Sequence, residues 1–513
     1  MKKTRLIALL LVLCFCVTPL FSCDGAGGSD GVDGGGLNDD GSVNWDEVDF
    51  KGSTVKFAVS SNQNAEVTFG ASNVYLEGAD SITTDEVLKK VKTRNEKVEK
   101  DLNLKVEYSH VNVWYDGVLE DIKMKVQGSA TDAPDLYNND LFGLDRALIA
   151  GYLMNVLNPT DAKGELQSSY FDFSYDGWKY DFMQESTFDS SKVFLLVGDY
   201  HIDVIRSLWL LYVNKTMFNQ NASSLGTADV NQFYSYVKAG IWDYEMLNNL
   251  CSKVWQDDGD VKDKADTADS RVGLAINHVS CWLFTSATGV TTFYINEDGK
   301  ASVIDDTYEY NLVSNGFQAI YTSTRGAGEG VYYQYELLAS TTNFMKGNFL
   351  FAHSLLGEME SDEMRNVSFE KGLVPVPKYD HKRQENYHTM VHDQAEVSAI
   401  LVTTSSFARA SAFMQYSVEA SRDVLTEYYE FSLKFKYNED HALRSMIDLV
   451  YDTVDSPFGM QFSRIIREYS PTPLDDLYYA VETGGQVSTL YDRNRDAYRS
   501  MLDKVLEDFA KIK

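Results

Sequence analysis

Short apolar runs with strand character take turns along the chain with longer stretches of helical periodicity. Residues 53–60 (STVKFAVS) open the series as a strand. Thr83 and Glu86 have capping-box spacing, which predicts a helix running to Leu102. LKVEY at 104–108 alternates as a strand does, 115–127 reads as a helix, 135–137 as a short strand, and 141–150 as a helix stopped by Gly151. A second series follows, with apolar runs at 192–197 and 208–213, a helix at 243–254 and a strand at 271–276. Helices at 307–321 and 337–345, a strand at 348–352, the Val374-Pro375-Val376-Pro377 punctuation and a strand at 397–402 complete it. From Phe407 the pattern is mainly helical, with 419–450 expected as a flank on the second lobe. Strands alternating with helices imply right-handed βαβ units around mostly parallel sheets, with ligands outside the carboxyl ends of the strands.

Composition bounds this picture. The chain has 513 residues, more than one hydrophobic core usually supports, so two or more lobes are expected. Apolar residues at 44% exclude wholesale disorder. A formal charge of -30 argues against nucleic acid, whose phosphates require a basic face.

The first residues read as an export signal. Lys2, Lys3 and Arg5 precede the apolar run LIALLLVLCFCV, and Leu20-Phe21-Ser22-Cys23 then looks like a bacterial lipobox. On that reading 1–22 is removed, Cys23 carries the lipid, and the Gly- and Asp-rich stretch to 43 is a flexible tether. The localisation expected is the cell membrane, lipid-anchored and facing outward. Cys251 and Cys281 remain in the body, and their spacing allows either a disulfide or two buried thiols.

Six segments, in order, resemble the extracellular solute-binding proteins of ABC importers, in the sugar-type branch that includes maltose-binding protein. They are GSATDAPDLY at 128–137, AGYL at 150–153 followed by Leu157, LYVNKTMF at 211–218, Ile241-Trp242-Asp243, FMKGNFLF at 344–351 and GLVPVP at 372–377. The resemblance implies a type II periplasmic-binding-protein-like fold: two α/β lobes, hinge crossings and a helical C-terminal flank. It suggests a first lobe of 44–197 with 354–395 and a second of 203–350 with 397–513, crossing near 197–203, 351–354 and 393–397. Ligand would bind between lobes that close around it, and the closed form would dock on a membrane permease.

A sugar site needs an aromatic plate and planar hydrogen-bonding side chains. Candidates at strand ends and crossings are Asn62, Asn64, Asn139, Asp140, His201, Arg206, Trp282, His353 and His392. Asp140 suits a helix N-cap equally well. Asp203 and Arg206 suit hinge hydrogen bonding or a surface ion pair, Trp282 suits a core position, and each histidine suits a structural role. No nucleophile elbow, phosphate loop or zinc helix motif is present, and the acidic loop 257–269 lacks full calcium-ligand spacing. Neither metal nor cofactor is expected. The reading is a monomeric, non-enzymatic binder of a carbohydrate, an oligosaccharide above all, that serves a permease. A surface glycoside hydrolase, a surface adhesin, and a binder of peptides or polyamines are the alternatives.

Overall fold

The computed structural model describes residues 34–512 apart from 39, 62–72, 80–84, 129–132, 257–270, 277–279, 305–307, 324–330, 334–338, 437–440 and most of 456–484. Asn62, Asn64 and the segment around Cys23 lie outside these residues. Among the described residues no helix is long and apolar enough to cross a membrane.

The chain runs through β1 (Ser53–Ser60), α1 (Val74–Glu77), α2 (Glu86–Asp101), β2 (Leu104–Val111), α3 (Asp116–Gln127), β3 (Leu136–Asp140), α4 (Leu141–Ile149) and β4 (Leu195–Leu196). It continues through β5 (Trp209–Asn214), β6 (Val272–Ile276), the hairpin β7 (Phe293–Ile295) and β8 (Ala301–Val303), β9 (Val331–Tyr333), β10 (Phe349–Leu355), β11 (Lys371–Val374) and β12 (Glu396–Ile400). Two five-stranded sheets result, β2-β1-β3-β12-β4 and β11-β5-β10-β6-β9, each the centre of one α/β lobe. In the first, β1 is parallel to β2 and β3, whereas β12 is antiparallel to both its neighbours. In the second, β6, β9 and β10 are parallel and β5 runs against β10 and β11. Both faces of β5 and β10 are buried, in keeping with their mostly apolar character.

Local departures from expectation have local causes. Helix α2 is capped by Asp85, whose carboxylate accepts from the amides of Val87 (2.9 Å) and Leu88 (3.2 Å). Thr83, expected to begin that helix, lies outside the described residues. β3 continues three residues past Tyr137 through buried Asn138, Asn139 and Asp140. Helix Tyr244–Val254 lies directly on β6, because Gly273 leaves no side chain where Cys251 packs; a Cβ there would fall 2.2 Å from the Cys251 Cα. Cys251 and Cys281 are both buried free thiols.

The division of the later chain between lobes needs correction. The expected scheme gave 354–395 to the first lobe and 397–513 to the second. Backbone pairing reverses both strands concerned: β11 pairs with β5 in the second sheet, and β12 pairs with β3 and β4 in the first. Nor does the chain cross at 351–354, which is the middle of β10 paired with β5. Helix Phe407–Glu419 packs on the first lobe, with Phe413 edge-on to Phe57 of β1. The chain re-enters the second lobe with helix His441–Asp452, which packs on β11.

Candidate functional site

Two crossings meet in a short antiparallel ribbon between the lobes. The Trp209 amide donates to the Met390 carbonyl (2.9 Å) and the His392 amide to the Ser207 carbonyl (2.9 Å), flanking the Leu208–Val391 bridge. Alternation along extended chain places Trp209, Ser207, Met390 and His392 on one face and Leu208 with Val391 on the other. These faces line two different sites.

On the first face Trp209 stacks on His392 (centroids 5.1 Å apart, planes 26°) and stands 5.6 Å from the ring of His353. His353 Nε2 is 2.8 Å from the Ser280 hydroxyl, on the helix Ser280–Ser286 that also carries Trp282; the Trp282 side chain is outside what the structure describes. His392 Nδ1 lies 2.9 Å from the Gln394 amide nitrogen and 3.0 Å from the Asp393 carboxylate.

Asn139 and Asp140 build the loop beside this stack. The Asn139 amide group donates to the Val113 carbonyl (3.2 Å) and accepts from the Asp140 amide (2.9 Å). Asp140 caps α4 through the Gly143 amide (2.7 Å) and also accepts from the Tyr115 amide (2.9 Å). Tyr115 is thereby held at φ +50°, a backbone position that costs a non-glycine residue about 1–3 kcal/mol. Its hydroxyl donates to Asp393 (3.2 Å). The result is an aromatic ridge in which Tyr115 contacts Trp114 and Phe142, both at 4.9 Å, and Trp114 is left 39% exposed. Burial pushes the Asp140 carboxyl up to about 7, against its two backbone hydrogen bonds, and nearby Asp393 adds to the rise. Asp145, buried on the second turn of α4, is raised by burial and by the same two carboxylates. Sequence reading missed Trp114 and Tyr115. The signal was an adjacent Trp-Tyr pair just past the carboxyl end of a parallel strand.

Arg206 does not face a ligand space. Its guanidinium is buried, donating to Asp203 (3.0 Å) and Glu360 (3.2 Å) and lying 4.5 Å from the centre of the Tyr75 ring. Tyr75 of α1 and Tyr428 also donate to Glu360, while Asp203 accepts from the Glu396 amide. The cluster ties the first lobe, the crossing and the segment after β10 together.

Behind the ribbon, against Leu208, lies a cavity of about 800 Å³. His201, from the same crossing, lines it, so the sequence candidates divide between two sites. Its walls carry Phe173, Trp178, Tyr180 and Tyr451, with six carboxylates and the single lysine Lys179. Gly198 allows this wall to close, since a Cβ there would sit 2.9 Å from both the Gly177 carbonyl and the Trp178 ring. Elsewhere among the described residues, Asp243, Asp380 and His381 bring three possible metal-ligating atoms within 4.8 Å. A helix cap accounts for Asp243, which accepts from the Met246 amide (3.0 Å) and meets His381 Nδ1 at 2.5 Å.

No protein-family model matches the chain, and no curated protein does. Solved structures do. The GacH receptor of Streptomyces glaucescens, studied unliganded and with acarbose, is 14% identical with a TM-score of 0.53, covering 88% of this chain and 99% of its own. The maltose-binding protein MalE of Listeria monocytogenes, complexed with maltose, is 12% identical with a TM-score of 0.52, covering 89% and 98%. The galacto-N-biose/lacto-N-biose I-binding protein of a Bifidobacterium longum ABC transporter is 8% identical with a TM-score of 0.51, covering 89% and 98%. At these identities the likeness establishes architecture: this chain has the two-lobe fold of solute-binding proteins.

Proposed function

We propose that this protein is an extracytoplasmic carbohydrate-binding protein, tethered through a lipid on Cys23, that holds an oligosaccharide between its lobes and passes it to an ABC permease. The observation that carries the reading is the partly exposed ridge Trp114-Tyr115-Phe142, tied through the Tyr115 hydroxyl to Asp393, next in sequence to the His392 that stacks on Trp209 at the lobe crossing. The similar folds bind acarbose, maltose and lacto-N-biose, which supports a sugar here. Trp114 is the primary stacking surface in this reading, with Trp282 its counterpart on the second lobe. His353 and His392 set the hydrogen-bonding pattern, while Asn139 and Asp140 shape the loop. The carboxylates nearest the ridge argue for binding over hydrolysis, since Asp140 caps a helix and Asp393 is fully buried under the Tyr115 hydroxyl.

The test is a thermal-shift screen over mono- and oligosaccharides, peptides and polyamines. A cognate sugar at a hundred times its Kd should stabilise the fold by about 2.7 kcal/mol. Peptide or polyamine shifts with every carbohydrate silent would overturn the sugar reading. Turnover of a chromogenic glycoside would instead favour the hydrolase. Cys23→Ser should release the protein from membranes with sugar binding intact; a variant that stays membrane-bound would rule out the lipid tether.

A further inference from the structure

The cavity behind the ribbon differs in chemistry from the aromatic ridge. Its size suits a small organic ligand. Tyr180 forms part of a stacked aromatic wall, and Tyr451 also lines the space. The exposed carboxylates of Asp181 and Asp452 border the space. The protein already seats an ammonium here: Lys179 Nζ lies 3.2 Å from Asp199 and 5.8 Å from the centre of the Tyr451 ring. Burial and the Asp199 charge act on that pair in opposite directions, and Lys179 remains raised. A wall combining aromatic faces with a carboxylate excess attracts a second cation and repels anions.

We propose that this cavity is a second ligand site, separate from the sugar site, for an organic ammonium compound with a compact apolar body. Binding would use the faces of Tyr180 and Tyr451 and the charges of Asp181 and Asp452. One wall is the first crossing and another the segment 451–455 at the end of helix His441–Asp452, so an occupant touches parts that must move when the lobes rotate.

Isothermal titration at fixed ionic strength tests this, with choline as probe and 3,3-dimethylbutan-1-ol as its uncharged counterpart. Saturable choline binding is expected, with the alcohol about tenfold weaker or worse. Tyr451→Ala, and separately Asp181→Asn with Asp452→Asn, should weaken choline at least about fivefold. Trp114→Ala should leave it unchanged. The two carboxylates are exposed, so the double variant folds, and circular dichroism checks that it does. No saturable heat, equal affinity for the alcohol, or loss of choline binding only in Trp114→Ala would each overturn the site. Sugar binding in the same variants is the separate readout: its failure with choline binding intact would sink the carbohydrate reading alone.

Discussion

The two faces of one ribbon have been put to opposite uses. Toward the ridge, Trp209 and His392 are packed ring on ring, and the neighbouring polar groups are committed: Asn139 to Val113, Asp140 to Gly143 and Tyr115, Asp393 to Tyr115. Of the described ridge, Trp114 is the most exposed ring. Toward the cavity the wall is hollow: Asp199 holds Lys179 and Asp455 meets His388, while the carboxylates of Asp181 and Asp452 are exposed at its border. Single-residue alternation separates the two. The comparison teaches that buried polar residues at a strand end shape a binding surface by spending their hydrogen bonds on the backbone, leaving the aromatic they position to make the contact.

The strongest way to break the comparison is to unpin the ribbon from beneath. Arg206→Met leaves Asp203 and Glu360 buried without their cation and should cost about 3–5 kcal/mol in urea unfolding. A loss under about 1 kcal/mol would mean the pair is solvated in solution.

Next comes the carboxyl that fixes Tyr115. The folded Asp140 carboxyl lies at about 7, above its unfolded value near 4. Its contribution to stability is therefore full below pH 4 and lost as pH rises through 7. Asn keeps the Gly143 bond through its one amide oxygen but turns an NH2 toward the Tyr115 amide, so it loses that bond while escaping the burial of charge. Asp140→Asn should therefore be less stable than the parent near pH 4, by about 1–3 kcal/mol, and the gap should close or reverse toward pH 8, read as melting temperature against pH. A gap that does not change with pH would show that the Asp140 carboxyl is not raised.

A smaller effect separates recognition from folding. Trp114→Ala should weaken sugar affinity about tenfold, or 1.4 kcal/mol, while shifting stability by less than about 0.5 kcal/mol. If affinity holds, the ridge is not the stacking surface. The least effect sharpens the other face: Tyr451→Phe keeps the ring and should leave choline affinity within about twofold, unlike Tyr451→Ala.

Much of the fold was legible because strand and helix signals are local. The strands at 53–60 and 271–276 and the helix at 243–254 emerged near their observed bounds, since their apolar spacing needs no distant partner. β3 was cut short at Tyr137 because Asn138, Asn139 and Asp140 carry no apolar signal. They are strand because β12 pairs with them residue for residue, and their buried side chains are satisfied by the Val397 and Val113 carbonyls and the Gly143 and Tyr115 amides. Asp140 was readable as a cap, yet its second bond, to a residue 25 positions earlier, was not.

The sequence by itself determined the alternation of elements, the acid excess and the aromatic supply, all of which follow from composition and short-range periodicity. The tertiary structure decided which sheet each late strand joined, because β11 and β12 are both short runs whose sequences specify no partner, yet one closes the edge of the second sheet and the other inserts between β3 and β4 of the first. It also decided that Arg206 serves the hinge and not a ligand. That choice depends on Glu360, 154 residues away, arriving beside a guanidinium too deeply buried to remain unpaired.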